Sequence, residues 1–254
     1  MSQHVAIDDH SESDAGLEVF CDVPEYAPPN TTTRPRRQSL ATQSVLVPCI
    51  LANVVLLLGY SFNLWFEYYE FNRRDRETVA IVVYFVAFSL LILSGIMELC
   101  VDAFSVRTSG HGRYHADSAN WNVAISILFV SAGLLDVVAF IFWMKMMKGE
   151  ENAVLLISAY VLFLTAIFAL LLDVLKLKKE SWPRMTRPDR IDLMANGLFF
   201  VTALIGIVLR HVQFAEMGFA KATNEMELVM VPLFLFCSIL YVSADGHRWN
   251  TKVD

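Results

Sequence analysis

A chain of 254 residues that is 56% hydrophobic and only 18% charged, with mean hydropathy +0.47, lies outside the range of ordinary soluble domains, which carry about 25% charged residues. Its formal charge of -6, carried mainly by an acidic N-terminal stretch, argues against nucleic acid as a partner. Its four cysteines, Cys21, Cys49, Cys100 and Cys237, lack CxxC spacing and form neither a disulfide framework nor a zinc site.

Residues 1–43 hold seven acids against Arg34, Arg36 and Arg37. They lack apolar periodicity and are expected to be a disordered acidic tail. No cleavable secretory signal is visible, so the first apolar block is expected to act as an uncleaved anchor. Arg36-Arg37-Gln38-Ser39-Leu40 has the form that basophilic kinases accept, which makes Ser39 a candidate phosphorylation site and a kinase a candidate partner. Phosphate there would add about -1.5 to -2 charges beside the membrane.

Six apolar blocks follow, at approximately 44–66, 78–101, 121–144, 153–175, 192–210 and 226–244, with 246–254 as a short C-terminal segment. Each approaches the roughly 20 residues that a bilayer demands. Backbone groups in hydrocarbon must be satisfied within their own segment, which makes the blocks helices. The expected fold is therefore an all-α integral membrane protein, a bundle of six transmembrane helices behind the tail. Trp65, Phe66, Tyr68 and Tyr69 close the first block, and Phe142 and Trp143 close the third, at the headgroup depth that aromatic rings prefer.

Orientation follows from the basic residues. With the N-terminus inside, cytosolic segments hold 13 Lys and Arg and the opposite face holds 7, which places both termini in the cytosol. Asn30-Thr31-Thr32 is the only glycosylation sequon, and sugar on Asn30 would reverse this assignment. The basic stretch Lys176 to Arg190 suits an anionic lipid surface.

At the end of the second block Glu98, and just past it Asp102, stand four residues apart, on one helix face one turn from each other. In the third, Asp136 lies past the midpoint, with Ser131 and Gly133 before it. Ionisable groups inside a span cost about 2.5–3.5 kcal/mol on insertion scales and mark functional sites by default. Asp136, Glu98 and Asp102 are thus the candidate ion or proton pathway. Asp173, followed by Lys176, Lys178 and Lys179, reads as an interfacial ion pair, and Asp245 reads alike. Asn53, Asn63 and Asn196 suit hydrogen bonds between helices. Ala-Asn recurs at 52–53, 119–120 and 195–196, with acids at Glu98, Asp173 and Asp245, the pattern of three tandem hairpins.

His111 and His115 have a metal-clamping spacing, but Gly110 and Gly112 place the segment through Asp117 in a solvated loop. No apolar block centres on a histidine, so a bis-histidine haem has no ligands. Metalloprotease, phosphate-loop and nucleophile-elbow motifs are missing, and no catalytic residue, cofactor or metal is assigned. Three classes remain, in this order: a transporter or channel for protons, cations or a small solute; a non-catalytic scaffold or subunit with membrane partners; and a membrane-embedded enzyme.

Overall fold

The computed structural model describes residues 35–72, 77–108, 113–180, 182, 185–215 and 220–253. They form six α-helices: α1 Pro35–Asn72, α2 Glu77–Thr108, α3 Arg113–Met144, α4 Lys148–Glu180, α5 Arg187–Phe214 and α6 Ala220–Val253. All six are long and apolar enough to cross a membrane. Large side chains such as Val47, Leu51, Leu58, Leu93 and Leu134 point outward, so the apolar surface covers the outside of the bundle as well as its inside. A helix that is hydrophobic all round requires an apolar surrounding.

The helices outrun the apolar blocks, because a polar turn can continue a helix once its backbone ladder is running. Thus α1 starts at Pro35, inside the expected tail, and residues 35–43 are helical; residues 1–34 lie outside the described residues. The expected loop through Asp117 is likewise corrected. α3 begins at Arg113 and takes in His115 and Asp117, while His111 lies outside the described residues. Pro48 and Pro232 stand within α1 and α6, as proline does in helices whose neighbours re-satisfy the freed backbone groups.

Each helix packs on the next in sequence, and α6 packs on α1. The result is a closed up-and-down ring. One end, here the near end, carries the starts of α1, α3 and α5 and the finishes of α2, α4 and α6. Close approach depends on small residues. A Cβ on Gly59 of α1 would lie 2.8 Å from the Leu91 side chain of α2 and 3.2 Å from its backbone nitrogen. Gly133 of α3 faces Ile92 of α2 in the same way, at 3.0 Å. Ser94 of α2 donates to the Ala52 carbonyl of α1 at 2.8 Å, and Ser158 of α4 donates to the Ala132 carbonyl of α3 at 3.1 Å.

The centre of the ring is apolar and aromatic. Tyr60 stacks on Phe234 with ring centroids 5.2 Å apart, and Leu56, Phe88, Leu91 and Phe199 join them in the core. Tyr84 stacks on both Phe88 and Phe140, at 4.3 and 4.2 Å. These rings fill the bundle towards the far end and leave the near end to polar side chains.

Candidate functional site

The inward face of each helix changes character along its length. On α1 the stripe runs Cys49, Asn53, Leu56, Tyr60; on α6, read from the near end, it runs Arg248, Asp245, Tyr241, Ser238, Phe234. Spacings of three and four residues keep each set on one face. Together the six stripes enclose a cavity of about 730 Å³ at the near end, floored by Leu56, Tyr60, Phe129, Phe199 and Phe234. Six carboxylates line it, from Glu98, Asp102, Asp173, Asp189, Asp192 and Asp245, against two basic groups, Lys176 and Arg248.

Both basic groups are already matched. Lys176 Nζ lies 3.7 Å from Asp173, whose other oxygen accepts from Asn196 Nδ2 at 2.6 Å. Arg248 donates to Asp245 at 2.9 Å and to Asp192, and lies 3.6 Å from Asp189. Asp245 also accepts from Asn53 Nδ2 at 2.8 Å, and Tyr241 donates to Asn196 Oδ1 at 2.5 Å. Among the described residues Asp102 accepts only from a neutral donor, the Ser126 hydroxyl at 2.7 Å. Among the described residues Glu98 has neither a hydrogen bond nor an ion pair, although it lines the cavity within electrostatic reach of Asp102 and Asp245.

Asp136 is placed elsewhere. It is not among the residues lining the cavity; it interacts with Ser158 and Arg210. Gly133 meets Ile92 across the α2–α3 seam. Counting residues from that contact along the two antiparallel helices separates Glu98 from Asp136 by about 14 Å along the axis, at about 1.5 Å per residue. Tyr60 lies between them, within electrostatic reach of both. Glu98 and Asp102 therefore share a site, and Asp136 stands beyond its aromatic floor.

Two acids depart from the sequence reading. Asp173 and Asp245 are buried at 5% and 4% exposure, where interfacial acids were expected. Distance from a span's end does not reveal which face a residue occupies, and both occupy the inner one. Asp192 was missed altogether. The spacing of Asp189, Asp192, Asn196 and Phe199 was the available signal, since it puts all four on one side of α5. The amides at Asn53 and Asn196 do bridge helices as expected. The expected repeat has a physical counterpart at two seams, Asp173–Asn196 between α4 and α5 and Asp245–Asn53 between α6 and α1. The α2–α3 seam uses Asp102 and Ser126 instead.

Ser39 stands in the first two turns of α1, and its side chain lies outside the described residues. In the basic stretch, Lys176 pairs with Asp173, and the Arg190 guanidinium lies 5.5 Å from the Trp182 ring centre. No family model, curated protein or solved structure matches this chain.

Proposed function

We propose that the chain is a multi-pass membrane protein that transports a proton, a cation or a small solute, and that Glu98 and Asp102 form the station holding the cargo. The observation that carries this reading is the charge balance of the cavity: once Lys176 and Arg248 have met their acids, Glu98 and Asp102 are left without a cation among the described residues. Charge held at depth is costly, and a positive cargo between the helices would offset that cost. The aromatic layer of Tyr60 and Phe234 lies across the inner end. A polar site with access from one end and a barrier at the other suits alternating access better than an open pore. Asp136, beyond that layer, is the candidate second station. The basic-residue asymmetry supports a cytosolic near end, where α1 starts and α6 finishes.

The test is flux in proteoliposomes, read with a pH-sensitive dye under an imposed potential and with common cations in turn. Wild type carries one of these ions, and Glu98→Gln loses at least ten-fold in rate while still eluting as a folded monodisperse species. Unchanged flux in Glu98→Gln removes the station from Glu98. If wild type carries no ion and a stable partner survives mild detergent, the scaffold reading takes precedence.

A further inference from the structure

The cavity has two chemically distinct ends, and its unmatched charge sits between them. Asp102 lies nearer the mouth than Glu98 by one turn of α2, about 6 Å. Beyond Glu98 the walls become Leu56, Phe129, Phe199 and the stacked Tyr60–Phe234 pair. From Asp245 to Phe234 the lining of α6 descends roughly 16 Å. A volume of about 730 Å³ falls in the range of roughly 300–1,000 Å³ that small organic ligands occupy. It is far larger than a bare ion needs. Among the described residues, no three His, Cys, Asp or Glu side chains come close enough to hold a metal ion. An anionic or zwitterionic ligand would need a basic partner, and the basic groups here, Lys176 and Arg248, are held by Asp173, Asp189, Asp192 and Asp245.

We propose that the cavity binds an organic monocation with an apolar body: its ammonium sits on Glu98, within reach of Asp102, and its hydrocarbon or aromatic part rests on the floor formed by Leu56, Tyr60 and Phe234. Glu98 supplies the specific contact because it faces the cavity without a hydrogen-bond or ion-pair partner among the described residues. The aromatic faces below attract a cation's positive edge as well as its apolar surface. This assignment rests on the transport reading for its role as cargo, but binding and flux are separate observables.

The test uses the purified full-length chain in nanodiscs and equilibrium binding of radiolabelled phenethylamine. Competition with phenethyl alcohol, which keeps the ring and lacks the charge, and with potassium completes it. Phenethylamine binds saturably, phenethyl alcohol competes at least ten-fold more weakly, and potassium does not displace it at equal concentration. Glu98→Gln weakens phenethylamine at least ten-fold, and Glu98→Asp recovers part of the loss. Phe234→Leu, which trims the floor, weakens phenethylamine and leaves its preference over potassium intact. Absence of saturable phenethylamine binding to wild type overturns the proposal, as does equal competition by the alcohol; neither comparison requires a variant to fold. Proton or potassium flux through Glu98 without amine binding overturns the amine site and leaves the transport reading standing. Amine binding without flux of amine or ions in proteoliposomes supports the site and removes transport.

Discussion

Met146 shows how much a single residue can hold under strain. It joins α3 to α4 with φ at 58°, the left-handed region. Its N–H donates to the Trp143 carbonyl at 2.9 Å, and the N–H of Met147 donates to the Phe142 carbonyl at 3.0 Å. That pair of bonds closes a Schellman turn, which glycine makes without the Cβ penalty. Met146→Gly should therefore raise unfolding stability by about 1 kcal/mol, seen as a higher melting temperature in micelles; an unchanged or lower value would show that the exposed Met146 side chain contributes elsewhere. Asp245 holds the opposite position, buried between the Asn53 amide and the Arg248 guanidinium. Asp245→Ala leaves the Asn53 donor unmatched and one arm of Arg248 without its acceptor, a loss of about 2–3 kcal/mol in denaturant titration. Asp245→Asn, which keeps an acceptor for Asn53, should lose less. Glu98 was legible in the sequence because a carboxyl inside an apolar run is conspicuous, and Asp102 because it stands four residues on, on the same helix face. Asp173 and Asp245 were not, because neighbouring bases and nearness to a span's end offer a sufficient interfacial explanation.

Among the elements, the α1–α2 seam depends on the absence of a side chain at Gly59. The atoms a Cβ would meet include the Leu91 backbone nitrogen at 3.2 Å, which cannot rotate away as a side chain can. Gly59→Val should force the helices apart and cost about 1–3 kcal/mol. Gly197 has nothing within 4 Å of an added Cβ and serves as the control for Gly→Val at a helical site. The start of α5 is fixed locally: Thr186 accepts from the Asp189 N–H at 3.4 Å and donates to its carboxylate, with Pro188 in the first turn. Thr186→Ala should remove about 1 kcal/mol, read by the same thermal assay. Helix existence was legible throughout, since six long apolar runs admit no other backbone solution in lipid. Helix starts were less so. Gly110 and Gly112 argued for a loop extending through Asp117, but α3 is already helical from Arg113, because two glycines determine only their own neighbourhood.

For the whole molecule, the ring closes through α6 on α1, and this closure brings Asn53 to Asp245 across 192 residues of sequence. No periodicity within a helix encodes which helix it meets, so the cavity could not be read before the fold. What the sequence did carry was a partial inventory: Glu98 and Asp102 on one face of α2, and the amides Asn53 and Asn196 as bridges between helices. Closing the ring turns that inventory into a cavity of about 730 Å³ with six carboxylates and two bases in its lining. Cys49 also lines it, so its thiol sits in a negative field and is reached by water from the near end. The most direct measurement is the rate of Cys49 modification by cationic and anionic methanethiosulfonates of equal size, in a chain whose other cysteines are serine. The structure predicts modification at least about ten-fold faster by the cationic reagent, within the range that focused fields produce, and a smaller ratio at high salt. Equal rates, a preference for the anionic reagent, or no modification of Cys49 from either side of a sealed vesicle would contradict an acid-lined cavity open at that end.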